Sequence, residues 1–211
     1  AEAAMRAILA ERCPDDGILG EEAAAVAGSS GWTWVLDPID GTRGFIAGTP
    51  TWGVLIALSG ADGPVHGLID QPYTGERFEG GPDGALWRRG ADARDLRVRG
   101  TATLAQATIL TTFPEVGTPA ERAAFERVAG ACRLTRYGLD CYAYALLAAG
   151  HVDLVVEAGL QPYDIAAPIA VIRAAGGVVT DWTGGPAHGG GRVVAAATPA
   201  LHRAALDLLH G

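Results

Sequence analysis

From residue 33 onward, apolar and polar positions alternate in short runs, and this period of two predicts strands over 33–36, 52–58 and 65–69. A turn at 60–64 makes the last two a hairpin. Shorter runs of the same kind follow at 77–79, 86–88 and 96–98, separated by glycine-rich turns. Beyond residue 103 the rhythm changes. Strands over 108–111, 134–136, 154–157, 178–180 and 193–196 now alternate with helices over 120–128, 142–149, 165–175 and 200–209. At the start, residues 1–12 place Met5, Ile8 and Leu9 on one helical face, and Pro14-Asp15-Asp16-Gly17 ends that helix. The change of rhythm divides the chain into an α+β part, residues 1–100, and an α/β part, residues 101–211.

With 49% hydrophobic residues among 211, the chain can bury a substantial core. Its formal net charge of −8 argues against nucleic acid or an anionic membrane as a partner. A small anionic ligand then needs local help, which a divalent cation supplies. All 16 basic residues are arginine. The absence of lysine excludes a lysine-bearing phosphate loop, a Schiff-base lysine and the lysine of haloacid-dehalogenase-type phosphatases. Three cysteines without Cys-x-x-Cys spacing fit reduced thiols, and no apolar run approaches the roughly 18 residues of a membrane span. These features make the cytoplasm the expected compartment.

The chemistry concentrates at Asp37-Pro38-Ile39-Asp40-Gly41-Thr42, which follows the apolar run 32–36 and is preceded by the pair Glu21-Glu22. Pro38 and Asp40-Gly41 predict a tight turn. A turn does not explain Asp37, since a carboxylate ending an apolar strand is ordinarily costly. Two carboxylates about 5 Å apart at an effective dielectric near 20 repel by roughly 3 kcal/mol. Three or four together must take up protons or bind a cation. Oxygen-only donors with no His or Cys nearby point to a hard ion, Mg²⁺ first. Gly41 permits close backbone approach, Thr42 offers a hydroxyl, and a helical turn starting there presents N–H groups to a phosphate. Asp164, in Gln161-Pro162-Tyr163-Asp164-Ile165, reads on its own as the N-cap of the helix that follows. The five histidines show no ligand spacing, and the five tryptophans read as packing residues.

Taken together, Gly20-Glu21-Glu22, the run 34–42, Tyr163-Asp164-Ile165-Ala166 and Ala175-Gly176-Gly177 resemble the inositol monophosphatase-like family, in the family's order and across nearly the whole chain. The resemblance implies a mixed α and β fold, a layered αβαβα sandwich of the inositol monophosphatase/fructose-bisphosphatase type. It implies a Mg²⁺-dependent phosphomonoesterase that forms a homodimer. It also implies a further helical segment ahead of Ala1, bearing an acid that partners the motif threonine, so the N-terminal helical part reads as incomplete. Carried over by position, Glu21, Asp37 and the carbonyl of Ile39 would hold one Mg²⁺, and Asp37, Asp40 and Asp164 a second. Glu21 would contact a third ion through water. Gly41 and Thr42 would bind phosphate. The catalytic residues implied are Glu21, Asp37 and Thr42, the last by orienting the attacking water. Asp140 and Glu157 would meet the rest of the substrate.

Within that family, the run 37–58 and Tyr137-Gly138-Leu139-Asp140-Cys141-Tyr142 are most similar to the histidinol-phosphate phosphatase branch, with Leu139 departing from the small residue expected there. The implied reaction is hydrolysis of a small-molecule phosphate monoester by metal-activated water, without a phospho-enzyme. L-histidinol phosphate would give L-histidinol, a step of histidine biosynthesis. Asp140 and Glu157 suit an ammonium group. They accept equally from the hydroxyls of inositol, which keeps inositol monophosphate open as the alternative. A non-catalytic metal-binding or interaction member of the family is the reading from a different class.

Overall fold

The structure is a computed structural model describing residues 1–211. Helix α1 (Glu2–Arg12) leads into β1 (Gly17–Gly20) and then β2 (Thr33–Asp40). After the short helix α2 (Thr42–Ala47), strands β3 (Gly53–Gly60), β4 (Gly63–Gln71), β5 (Glu76–Gly81), β6 (Gly84–Arg89) and β7 (Asp92–Asp95) run as an antiparallel meander. β1 pairs parallel with β2, so the first sheet has seven strands in chain order. The second sheet comprises β8 (Thr108–Thr111), β9 (Leu134–Tyr137), β10 (Leu154–Leu160), β11 (Val178–Asp181) and β12 (Gly191–Ala196), in the order β11-β12-β10-β8-β9. Its helices are α3 (Pro119–Ala131), α4 (Cys141–Ala148), α5 (Pro162–Ala174) and α6 (Pro199–His210).

The layers follow from strand alternation, which sends successive side chains to opposite faces. Val35, Leu55, Ala57, Ile69 and Phe78 turn one face of the first sheet onto α4 and α5, and Val155, Val193 and Ala195 of the second sheet join the same core. Their neighbours Leu154, Val156, Val194 and Ala196 pack instead with Phe125 and Val128 of α3 and Leu201 and Ala205 of α6. Sheet, helices, sheet and helices thus stack, with α1 against β2. This is the αβαβα layering that the sequence motifs imply. One of the two cores draws residues from both sides of residue 100.

Helix α5 lies close against the first sheet because Gly67 on β4 and Gly80 on β5, paired across the two strands, carry no side chain. A Cβ on either would run into the α5 backbone at Ala167 or Val171. That seat sets how near the start of α5 comes to β2.

At the far edge of the first sheet the pattern misleads. The strand expected over 96–98 does not form: the Leu96 N–H bonds to Ala85 while the Val98 N–H bonds to Ala175, after α5. The edge strand is Asp92–Asp95 instead, exposed throughout. An edge strand buried on neither face has no apolar alternation to announce it.

Candidate active site

Strand β2 carries the Asp37–Asp40 segment to its end, in place of the tight turn that Pro38 and Asp40-Gly41 predict. Residues three apart on a regular strand point to opposite faces. Here Asp37 pairs with Leu55 and Asp40 with Gly53, so three steps on β2 span two on β3. The extra residue reverses the parity and brings both carboxylates to one side. Pro38 suits that interruption, having no N–H to give the ladder. Asp37 Oδ1 accepts from the Ile39 N–H at 3.0 Å, and Asp40 Oδ2 accepts from the Cys141 N–H at 2.6 Å.

Asp164 is the third acid. It is not the N-cap of α5: Gln161 holds that position, and Asp164 stands three residues on, its Oδ2 accepting from the Gln161 N–H at 2.7 Å. Polar atoms of Asp37, Asp40 and Asp164 lie within 4.8 Å of one another. No salt bridge in the molecule reaches them. Burial, followed by the charges of Asp40, Glu21 and Asp164, pushes the Asp37 carboxyl up to about 9. Asp40 rises to about 7, mainly through burial and against the hydrogen bonds from Cys141. Burial also raises Asp164, with Glu21 adding to it. Three crowded carboxylates with no arginine partner form a donor set suited to a hard divalent ion.

Glu21 is exposed on the loop after β1 and stands outside the 4.8 Å group, although its charge reaches Asp37 and Asp164. Its loop is tied down by Glu2, a residue to which sequence reasoning assigns no role. Buried in α1, Glu2 accepts from the Glu22 N–H at 2.8 Å and from Arg6 at 2.6 Å. Burial works to raise its carboxyl, but those donors prevail and hold it below the usual carboxylate range.

Gly41 caps α2 at φ 79°, and a Cβ there would meet Cγ of Asp140 at 2.9 Å. Thr42 Oγ1 donates to the Ile39 carbonyl at 3.1 Å, so the expected phosphate and metal groups adjoin. Asp140 itself is the one non-glycine residue at positive φ, 45°. A residue held there costs about 1–3 kcal/mol and persists where its surroundings enforce it. Burial raises its carboxyl, and the charge of Arg43 partly offsets this.

Glu157, midway along β10, is buried and held on both oxygens. Oε2 accepts from Thr111 Oγ1 at 3.0 Å, while Oε1 accepts from the Thr112 N–H at 2.7 Å and Thr112 Oγ1 at 2.9 Å. Burial nonetheless lifts it to about 7. Asp140 and Glu157 line a cavity of about 240 Å³ together with Asp40 and Asp164, its walls completed by Phe113 and Tyr144. A larger groove of about 600 Å³ lies against the other face of the first sheet, and none of the converging acids lines it. Thr111, Thr112, Phe113 and Tyr144 carry no motif signal; only their position in the fold marks them.

Among known proteins, the model described as "Inositol monophosphatase family" matches residues 1–210. The chain is 46% identical over 186 residues to the bifunctional phosphatase IMPL2, chloroplastic, of Arabidopsis thaliana, covering 87% of this chain. It spans only about half of that protein's length, 53%. It is 35% identical over 227 residues to a histidinol-phosphatase of Streptomyces coelicolor, covering 100% of this chain and 81% of that protein. Among solved structures, an inositol monophosphatase from Zymomonas mobilis superposes with a TM-score of 0.91 at 39% identity, over 100% of this chain and 81% of the other.

Proposed function

The chain belongs to the inositol monophosphatase family, and from that premise we propose that it is a Mg²⁺-dependent hydrolase of a small phosphate monoester, L-histidinol phosphate. The observation that carries this reading is the convergence of Asp37, Asp40 and Asp164 within 4.8 Å, beside a cavity lined by two further acids. Glu21, Asp37 and the Ile39 carbonyl would hold one ion, Asp37, Asp40 and Asp164 a second, and Glu21 would reach a third. When bound, Mg²⁺ supplies Lewis acidity, neutralising phosphoryl charge and lowering the pKa of the attacking water. Gly41 and Thr42 bind the phosphate, and the Thr42 hydroxyl orients that water. With ions bound, every acid in the corner would serve as a ligand, which would leave none to form a phospho-enzyme and make hydrolysis direct.

The cavity receives the rest of the substrate. Asp140 and Glu157 attract an ammonium group, and Glu157 is already aligned by three donors. The relative named as a histidinol-phosphatase favours this substrate. Inositol monophosphate is the second reading, supported by the likeness to the Zymomonas mobilis structure. The test is phosphate release with Mg²⁺ and with chelator, from histidinol phosphate, inositol 1-phosphate, fructose bisphosphate and adenosine 3′,5′-bisphosphate. Mg²⁺-dependent release fastest from histidinol phosphate is expected. Faster release from inositol 1-phosphate would replace the substrate, and release from none would leave a non-catalytic family member.

A further inference from the structure

Within the cavity, Tyr144 is a polar residue without a partner. It is 3% exposed, and its hydroxyl meets no hydrogen-bonding group of the protein. A buried hydroxyl left unpaired is costly, and native folds keep few of them. Phenylalanine would fill the same space without that cost. Tyr144 lies on α4 one turn beyond Asp140 and lines the cavity with Asp140, Glu157 and Phe113.

The surroundings select what such a hydroxyl can bind. Burial, then the charges of Glu157, Asp40 and Asp164, drives the phenol well above its ordinary range, so it stays neutral and keeps its lone pairs for a donor. Walls carrying several carboxylates favour a ligand with positive charge and N–H groups. Phe113 adds an aromatic face that already takes a cation, the Arg43 guanidinium lying 4.8 Å over its ring.

We propose that Tyr144 is a specificity-determining residue whose phenol oxygen accepts a hydrogen bond from an amine or imidazole N–H at the non-phosphate end of the ligand, between Asp140 and Glu157. Its part in turnover rests on the phosphatase reading; its part in amine binding does not. The test is Tyr144→Phe, which deletes only the hydroxyl. Calorimetric titration with histidinol, which lacks phosphate, is run beside myo-inositol on both proteins. Thermal midpoints and kcat/KM for histidinol phosphate and inositol 1-phosphate complete the comparison.

Wild type should bind histidinol, and the variant should bind it roughly tenfold or more weakly. Its thermal midpoint should be unchanged or raised, because the unpaired hydroxyl is gone. kcat/KM for histidinol phosphate should fall by a similar factor through KM, with inositol 1-phosphate changed less than about twofold. Wild type that ignores histidinol, or a variant that binds it equally well, overturns the proposal. So does an equal loss on both esters with a lowered midpoint, which marks a packing role. If no ester releases phosphate, the phosphatase reading fails while the histidinol titration still decides Tyr144.

Discussion

At the scale of single residues, the site is built from groups placed against their own solvation preference. Asp37 is 2% exposed and surrounded by like charge, an arrangement that opposes folding unless a cation or protons neutralise it. Asp37→Asn replaces an ionisable carboxyl by a neutral amide and takes one ligand from the proposed ion site. It should abolish Mg²⁺-dependent phosphate release, by about a hundredfold or more, while circular dichroism stays unchanged and the metal-free thermal midpoint rises. Near-normal turnover in that variant would sink the metal assignment. Asp37, Asp40 and Asp164 could be picked out from the chain because each stands where a carboxylate is out of place or belongs to a motif. Glu2, Thr112, Phe113 and Tyr144 could not. Each is an ordinary residue for its local pattern, and its significance comes from partners far along the chain or from having none.

At the scale of elements, two devices aim the acids. The interruption between Asp37 and Asp40 sets them on one side of β2, and the glycine pair Gly67 and Gly80 lets α5 approach the sheet with Asp164 at its start. Gly67→Ala inserts a methyl group where the Ala167 backbone already lies. Overpacking of that kind should cost about 1–3 kcal/mol. Because the same shift withdraws Asp164, the Mg²⁺ concentration needed for half-maximal phosphate release should rise. A variant with a wild-type thermal midpoint and Mg²⁺ requirement would show that the helix seat does not govern the acid corner. The pattern located the hairpin of β3 and β4 and the four helices of the second half; β3, α3 and α6 bury one face with a regular repeat, whereas α5 is buried without a break over Ile165–Ile172. It mistook the Asp37–Asp40 interruption for a turn. Pro and Asp-Gly signal departure from a regular strand in either case, and only the register with β3 tells the two apart.

At the scale of the whole molecule, the crowded acids should couple divalent-ion binding to stability. The Asp37 and Asp40 carboxyls sit at about 9 and about 7 in the folded chain, above the value of about 3.9 for an unfolded aspartate. A folded-state pKa raised in this way favours the fold at low pH and loses that contribution as pH climbs through the folded value. Without divalent ions, the thermal midpoint should therefore fall from about pH 5 to about pH 9. Mg²⁺ should oppose the fall, with a stabilising effect that grows over the same interval because the ion competes with protons for the same oxygens. A midpoint that is flat with pH, or a Mg²⁺ effect that shrinks as pH rises, would contradict the coupling. The sequence by itself determined which stretches become strands and helices and which residues carry unusual charge, because periodicity and local composition are properties of neighbours along the chain. Only the tertiary structure decided that a bulge turns Asp37 and Asp40 the same way, that α5 brings Asp164 to them, and that Tyr144 ends unpaired in an acidic cavity. Those outcomes depend on register and approach between segments far apart, which no local pattern encodes.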